Sequence, residues 1–166
     1  MSKNLLLVRH GKSDWGNEFL SDFDRPLNPR GHDNAPMMAR RLLSKGYIPD
    51  LIVSSPALRA LSTAKHFAQV WEIPFSSILL KEDIYEASVP ALLNVVNELG
   101  EDFSKVALFG HNPGLTDFVN YLTDANLYSL PTCGVAQISF PAEQWAEISR
   151  NSGSLVFADY PKNELA

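Results

Sequence analysis

Two short apolar runs, each followed by a histidine next to a glycine, constrain the fold of this chain more than any other feature. Leu5 to Val8 is apolar throughout, and Lys105 to Phe109 is apolar after its first residue. Continuous apolar runs of this length are typical of strands that are buried on both faces of a sheet. The first run continues into Arg9-His10-Gly11 and the second into Gly110-His111. Polar side chains suited to catalysis therefore lie where two buried strands leave the core.

Further apolar runs alternate with amphipathic helices along the chain. The other predicted strands are Leu51 to Val53, Ile78 to Leu80, Val135 to Phe140 and Ser154 to Ala158. Apolar residues at helical spacing predict helices around residues 35–43, 57–71, 92–99 and 115–122. Strands that alternate with helices form a parallel sheet covered on both faces. We predict an α/β fold, a three-layer sandwich in which a largely parallel central sheet is flanked by helices.

Length and composition narrow the possible classes of protein. At 166 residues the chain has the size of one domain, so we expect a single domain over residues 1–166. The net charge of −5 argues against a nucleic-acid partner, because nucleic-acid-binding surfaces are basic. Cys133 is the only cysteine, which excludes an internal disulfide and a cysteine-based zinc site. No signal-peptide pattern or membrane-length apolar run is present, so a cytoplasmic protein without a membrane partner is expected.

The start of the first helix has two interpretations. Asn28 could cap the helix with Pro29 at the first helical position, but Pro36 would then lie deep inside it. A cap at Asp33 or Asn34 avoids an internal proline. The pattern leaves both starts open.

The second helix brings an arginine to a helix end. Ser55 is predicted to cap this helix, with Pro56 at its first position. Arg59 then lies in the first turn, where the free amides and the helix dipole already favour an anion. A cation is unfavourable there by the dipole alone. This placement favours a phosphate-binding role over an ordinary exposed arginine.

The predicted strand ends gather two arginines and two histidines at one rim of the sheet. In open α/β sheets, ligands bind outside the carboxyl ends of the strands, and this rule brings together Arg9, His10, Arg59 and His111. Arginines meet the oxygens of a phosphoryl group with forked, permanently charged donors. A neutral imidazole can attack phosphorus, whereas a protonated one stabilises the oxygens. The residues alone do not assign these two roles.

A metal site is the alternative for the same histidines. His10 and His111 could bind zinc together with Asp14 or Asp117. Arg9 directly precedes the first histidine and would repel a cation. The anion site is therefore the preferred hypothesis.

Three spaced motifs resemble those of the histidine phosphatase superfamily, also called the phosphoglycerate mutase-like or RHG family. They are Arg9-His10-Gly11, Arg59 within residues 54–60, and Gly110-His111-Asn112-Pro113-Gly114. Within that superfamily, Lys12-Ser13, Asp24-Arg25-Pro26-Leu27 and the small size are most similar to the SixA-type phosphohistidine phosphatases. The resemblance covers nearly the whole chain, with the motifs in the same order.

The resemblance implies that His10 is the nucleophile and is transiently phosphorylated on a ring nitrogen. Arg9, Arg59 and His111 would form the phosphate pocket around it, without a metal ion or cofactor. Removing one such donor is expected to cost about 2.7–4 kcal/mol of transition-state stabilisation. Further substrate contacts are expected from Gly11, Ser13, Arg25 and Asn112.

The general acid is less well defined by the resemblance. Larger members of the superfamily use a glutamate, and Glu82 within residues 80–86 stands at the matching place. Glu86 is close enough to compete, and the segment also fits a solvated acidic loop. SixA-type members often lack a clear acid. An imidazole leaves more readily than an alkoxide, so an acid worth roughly 10²–10⁴ in rate elsewhere is dispensable for phosphohistidine.

The short connections between the elements bear on the substrate. Little chain is left over to cover the pocket, so we expect an open, shallow site. Such a site fits phosphohistidine presented on a protein, and small phosphate esters are the alternative substrates. An inactive phosphate-binding or phosphohistidine-binding module and a mutase are the other hypotheses. The sequence leaves the oligomeric state open.

Overall fold

The structure is a computed structural model that describes residues 2–162. Its strands are β1 (Lys3–Arg9), β2 (Leu51–Ser54), β3 (Leu79–Leu80), β4 (Lys105–Gly110), β5 (Val135–Phe140) and β6 (Ser154–Asp159). Its α-helices are α1 (Pro29–Ser44), α2 (Leu58–Val70), α3 (Val89–Asn97) and α4 (Gly114–Leu122). Every strand and helix predicted from the apolar pattern is present, with ends that differ by a few residues.

The strands form one six-stranded sheet in the order β3-β2-β4-β1-β5-β6. The first four strands in this order are parallel, and β5 and β6 are antiparallel to their neighbours. The predicted largely parallel sheet is confirmed. Strands β1 and β4 are direct neighbours, and Arg9 pairs with Gly110 at their shared carboxyl end. This register brings the two histidine motifs side by side.

Helices cover both faces of the sheet and create two apolar layers. Helices α1 and α2 pack on the face that carries Leu6 and Val8, whereas α3 and α4 pack on the face with Leu5 and Leu7. All four of these β1 side chains are fully buried. Burying one such side chain contributes about 1.5–3 kcal/mol. The continuous apolar run is thus explained by contacts on both faces, and the predicted three-layer sandwich is confirmed.

Helix α1 begins at the earlier of its two predicted starts. Asn28 is the cap, and its Oδ1 accepts a hydrogen bond from the Gly31 N–H at 2.8 Å. Pro29 is the first helical residue and Pro36 lies inside the helix. The start at Asp33 or Asn34 is therefore wrong. A satisfied cap, worth about 1 kcal/mol, together with the fixed φ of Pro29, favours the earlier start.

The predicted cap of helix α2 is also wrong. The residue at the cap position is Ala57, which has no side-chain capping bond, and the helix begins at Leu58. Ser55 Oγ does accept a hydrogen bond from the Ala57 N–H at 3.2 Å. Its other contact is His111, across the end of the neighbouring strand. Arg59 is the second residue of α2, within the predicted first turn.

No helix in residues 2–162 has the length and apolar character needed to cross a membrane. The single domain over residues 1–166 remains a prediction.

Candidate active site

Two histidine rings lie together where β1 and β4 end. His10 follows the last residue of β1, and His111 follows the last residue of β4. The His10 N–H donates to the Gly110 carbonyl at 3.1 Å, which extends the pairing of the two strands. The ring centroids are 5.2 Å apart. The topology thus brings together the two histidines that the sequence places at strand ends.

The hydrogen bonds of His10 define its tautomer. Nδ1 lies 2.6 Å from the Gly11 carbonyl oxygen. A carbonyl can only accept, so Nδ1 carries the proton and Nε2 keeps its lone pair. Arg59 Nε–H donates to this Nε2 at 3.3 Å. The nitrogen that has no proton therefore points at the guanidinium group expected to hold a phosphate.

The environment keeps His10 neutral. Its side chain is buried, with only 7% of the residue exposed. Burial lowers the pKa of His10 to about 4, and the charges of Arg59, Arg9 and Arg25 act in the same direction against the bond to Gly11. A buried imidazole surrounded by cations resists protonation. His10 can therefore act as a nucleophile well below neutral pH.

A hydrogen bond to Ser55 positions the ring of His111. Its Nε2 lies 2.8 Å from Ser55 Oγ, and Nδ1 is buried without a hydrogen-bond partner among the described residues. Burial lowers the pKa of His111 to about 3, and the charge of Arg59 acts in the same direction. A Ser55 hydroxyl that donates to Nε2 leaves the ring proton on Nδ1. In that tautomer, Nδ1–H is a buried donor without a partner among the described residues.

Arg9 contributes a second unused donor. Its Nη1 donates to the Leu130 carbonyl at 2.9 Å, which ties the side chain to the segment before β5. Its Nε is buried without a hydrogen-bond partner among residues 2–162. Buried donors are seldom left unpaired, so each such group calls for an explanation. An anion bound between the two strand ends would satisfy both Arg9 and His111.

Arg25 reaches the same region from the loop between β1 and α1. Its residue is 8% exposed, and Nη1 donates to Ser13 Oγ at 2.7 Å. The guanidinium carbon lies 3.4 Å from the centroid of the Trp15 ring, a stacked cation–π contact. Arg25 also adds to the positive field that acts on His10. The structure therefore places Arg25 and Ser13 beside the histidines, as a pair joined to each other.

Asp22 links the two arginines and was missed by the sequence reasoning. Its Oδ1 accepts from Arg25 Nη2 at 2.6 Å and its Oδ2 from Arg59 Nη2 at 2.9 Å. Tyr85 donates its hydroxyl to the same Oδ2 at 2.5 Å, and this bond raises the pKa of Tyr85 to about 12. The spacing of Asp22 and Arg25, three residues apart, is the one sequence signal that could have indicated the pair.

The other predicted residues have different surroundings. The Asn112 amide nitrogen donates to the Leu130 carbonyl at 2.8 Å, and its oxygen accepts from Thr116 at 2.9 Å, so it anchors the chain beside the pocket. Glu82 and Glu86 are exposed. No hydrogen bond or ion pair joins the Glu82 carboxylate to another described residue. The structure thus leaves the substrate contact of Asn112 and the acid role of Glu82 as predictions.

The backbone after His10 is packed tightly against helix α1. A Cβ added to Gly31 would lie 2.3 Å from the Lys12 carbonyl oxygen. Asn28 N–H donates to the same oxygen at 2.9 Å. Gly11 N–H in turn donates to Thr63 Oγ1 in α2 at 3.0 Å. The strand exit is therefore held between the first turn of α1 and the second turn of α2.

The alternative metal site does not assemble from the predicted ligands. Asp14 Oδ1 accepts from the Gly16 N–H within its own loop at 2.7 Å. Among residues 2–162, no three His, Cys, Asp or Glu side chains are grouped so that they could hold a metal ion. His10 and His111 instead direct their hydrogen bonds to a backbone carbonyl and a serine.

Residues 5–92 match the profile of the histidine phosphatase superfamily (branch 1). The chain belongs to this superfamily. An uncharacterized chloroplast protein of Arabidopsis thaliana is 31% identical over 161 residues, which cover 92% of this chain and 73% of the relative. The predicted family resemblance is confirmed.

Solved structures of the superfamily share the fold over nearly the whole chain. SixA from Agrobacterium tumefaciens superposes with a TM-score of 0.82 at 25% identity, covering 96% of this chain and 98% of SixA. A protein histidine phosphatase SixA in complex with tungstate gives a TM-score of 0.81 at 21% identity, covering 95% and 97% of the two chains. The histidine phosphatase fold of this chain is thus SixA-like, and family and fold together support a phosphatase activity.

Proposed function

We propose that this protein is a metal-independent phosphatase that forms a phosphohistidine intermediate on His10, and that its substrate is phosphohistidine on a protein. The observation that carries the proposal is the tautomer of His10. Its Nδ1–H is bound to the Gly11 carbonyl at 2.6 Å, so the lone pair of Nε2 is available beside Arg59. A nucleophile with a fixed tautomer needs no separate base to remove a proton.

In the first step, the Nε2 lone pair of His10 attacks phosphorus and forms a P–N bond. The bond from phosphorus to the leaving nitrogen or oxygen breaks, and the leaving group keeps that electron pair. Arg9, Arg59 and the Nδ1–H of His111 donate to the three equatorial oxygens, whose charge they stabilise. Arg59 Nε–H must move from Nε2 to a phosphoryl oxygen as the new bond forms.

In the second step, water attacks the phosphorus of phosphorylated His10. The P–Nε2 bond breaks, the electron pair returns to the imidazole and inorganic phosphate leaves with the water oxygen. The same three donors act in both steps because the phosphoryl oxygens stay in place between them. Gly11 holds Nδ1–H throughout, so His10 returns in its starting tautomer.

The positions of the acidic groups favour a substrate whose leaving group departs without a general acid. Glu82 is exposed and has no described bond to the pocket, and Asp22 is paired with two arginines in the free protein. A phosphohistidine substrate releases an imidazole nitrogen, which needs less help from an acid than an alkoxide. This supports phosphohistidine over a simple phosphate ester. One structural neighbour, a SixA, is a protein histidine phosphatase, and this also supports a protein substrate.

The test is a hydrolysis profile of the purified protein on a phosphohistidine protein, phosphoamino acids, sugar phosphates and an aryl phosphate. We expect the phosphohistidine protein to give the highest kcat/KM, in the presence or absence of a chelator. Acid-labile phosphate should be trapped on His10 during turnover. Undiminished hydrolysis by His10→Ala would overturn the proposed intermediate.

The same profile separates the alternatives. Preference for a sugar phosphate would indicate small phosphate esters, and isomerisation of a phosphoglycerate without loss of phosphate would indicate a mutase. Phosphate binding without any turnover would indicate an inactive binding module. Sensitivity to chelator would indicate a metal hydrolase. The acidic net charge of −5 supports a partner other than nucleic acid, and we propose that the protein acts in the cytoplasm.

A further inference from the structure

Asp22 lies where a phosphate would meet the arginines of the pocket. We propose that its carboxylate is an internal competitor that occupies the phosphate position in the free protein, so that Asp22 determines which anions can enter the site. This inference rests on the phosphate pocket of the proposed function. It adds a specificity-determining residue that touches the same donors as the substrate.

The contacts of Asp22 imitate those of a bound phosphoryl group. Arg59 donates through Nη1 to the Asp22 main-chain carbonyl at 2.6 Å and through Nη2 to Oδ2 at 2.9 Å. Arg25 donates through Nη2 to Oδ1 at 2.6 Å. These distances are short, as in charge-assisted hydrogen bonds. The bonds occupy the arginine N–H groups that would otherwise donate to phosphate oxygens. A phosphate cannot make the same bonds while Asp22 stays in place.

Both arginines are held without Asp22, which argues against a merely structural link. Arg25 is anchored by the Ser13 hydroxyl at 2.7 Å and by its stacking on Trp15. Arg59 is a buried residue of α2 whose Nε also contacts His10. Removing Asp22 should therefore leave the guanidinium groups near their present positions. What is lost is the negative charge between them.

Asp22 lies in a segment that can move away from Arg25 and Arg59. It lies in a three-residue 3₁₀ turn, Asp22–Asp24, in the loop that joins β1 to α1. Its side chain is 46% exposed, and Phe19 earlier in the loop is 92% exposed. Few buried contacts hold a segment of this kind, so its local opening costs little free energy. Withdrawal is opposed by the two ion pairs, by the Tyr85 hydroxyl and by the bond from Arg59 Nη1 to the Asp22 carbonyl, and Phe23 of the same turn packs against the Tyr85 ring.

Competition by Asp22 weakens the apparent affinity of the site for every anion, so only an anion with a high intrinsic affinity binds. The apparent Kd equals the intrinsic Kd divided by the fraction of molecules in which the site is open, so a site open one-tenth of the time weakens every anion about tenfold. A phosphoryl dianion still displaces the carboxylate, since it offers three oxygens and twice the charge. Carboxylates and other weak monoanions in the same solution do not.

The test is the affinity of inorganic phosphate for wild type, Asp22→Asn and Asp24→Asn, measured by isothermal titration calorimetry. Asn keeps the size of Asp22 and removes its charge. Asp24 is the matched control because it lies in the same turn and its carboxylate bonds to Ser21 at 3.0 Å instead of to an arginine. We expect about tenfold tighter binding in Asp22→Asn and less than twofold change in Asp24→Asn.

Each other result would overturn the inference. Weaker binding in Asp22→Asn alone would mean that Asp22 supports the arginines, and equal gains in both variants would mean a general charge effect. If neither wild type nor Asp22→Asn binds phosphate, the phosphate pocket itself fails and the inference fails with it. Tyr85→Phe, which removes the hydroxyl bonded to Oδ2, should shift the affinity in the same direction by a smaller factor. It serves as the second variant if Asp22→Asn does not fold.

Discussion

Two pairs of histidines in this protein have the same ring separation and opposite surroundings. The centroids of His10 and His111 are 5.2 Å apart, and so are those of His32 and His66 on helices α1 and α2. The surface pair is joined directly, with His32 Nδ1 2.9 Å from His66 Nε2. The buried pair has no described bond between its rings, because each ring is bonded outward, to Gly11 and to Ser55.

The difference shows that distance alone does not make a reactive pair. In the surface pair, one imidazole satisfies the other, so the two facing nitrogens are already used. In the buried pair, the outward bonds leave His111 Nδ1 without a described partner, and the lone pair of His10 Nε2 faces Arg59 Nε–H at 3.3 Å. Reactivity therefore depends on which nitrogens the surroundings leave unpaired.

The largest expected effect comes from removing one histidine of each pair. His10→Ala should lower kcat by at least about 10⁴-fold, because the nucleophile is lost. His32→Ala should leave kcat unchanged, since His32 is exposed on α1. Steady-state assays on the best substrate of the hydrolysis profile measure both. Equal effects of the two variants would remove the functional distinction between the pairs.

The next effect concerns the cations that surround only the buried pair. Arg59→Ala should reduce kcat by about 10²–10³, the effect expected for loss of one oxyanion donor. Arg40→Ala is the matched control, because Arg40 is an exposed arginine on α1. Single-turnover rates would show the loss directly. A rise in KM alone, with kcat retained, would mean that Arg59 binds ground state and transition state equally.

The pH dependence should also distinguish the pairs. An ordinary histidine with a pKa near 6.5 is only about 3% neutral at pH 5. His10, whose pKa is lowered to about 4, remains mostly neutral there. The acid limb of kcat/KM should therefore fall near pH 4 instead of pH 6.5, which a pH–rate profile would show. An acid limb at 6.5 would mean that the arginines and burial do not act on His10 as inferred.

The same lowered pKa affects stability in a defined direction. The unfolded chain binds a proton to His10 below pH 6.5, whereas the folded chain does so only below about pH 4. Stability from this residue is thus present above pH 6.5 and is lost as the pH falls towards 4, by about 3 kcal/mol. Urea unfolding at a series of pH values would measure the loss. His10→Ala should lose less stability over that range than wild type.

The smallest effect is expected from breaking the surface pair. His66→Ala removes the imidazole hydrogen bond between α1 and α2, and should lower the free energy of unfolding by about 0.5–1.5 kcal/mol. Chemical denaturation of wild type and His66→Ala at pH 8 would measure it. A change larger than that in His10→Ala would show that the surface pair is the more important of the two for the fold.

The fold, and the way it brings the main candidate residues together, could be predicted because simple local rules determine them. The run from Leu5 to Val8 contacts helices on both faces of the sheet. A strand buried in this way has an unbroken apolar sequence, which can be recognised without the structure. The neighbouring parallel strands then place His10 and His111 together through the rule on carboxyl ends. Arg59 could be predicted as a phosphate-binding candidate because it lies in the first turn of α2.

The remaining contacts depend on tertiary structure that no local pattern encodes. Ser55 looks like a helix cap in the sequence, yet its hydroxyl contacts His111 across two neighbouring strands. Asp22 pairs with Arg59, which is 37 residues away, and no periodicity relates the two. Tyr85 reaches Asp22 over 63 residues. Such contacts follow from how loops lie over the rim, which only the assembled fold defines.

Gly31 illustrates how a residue without a functional group can control the position of His10. A methyl group there would meet the Lys12 carbonyl at 2.3 Å, so even an alanine would push the chain that carries His10 away from α1. In an exposed helix, alanine would improve on glycine by about 1 kcal/mol. Here the absence of a side chain at Gly31 lets the chain that follows His10 lie directly against α1. A stabilising substitution chosen by helix propensity at this position would shift the candidate site while leaving every candidate site residue unchanged.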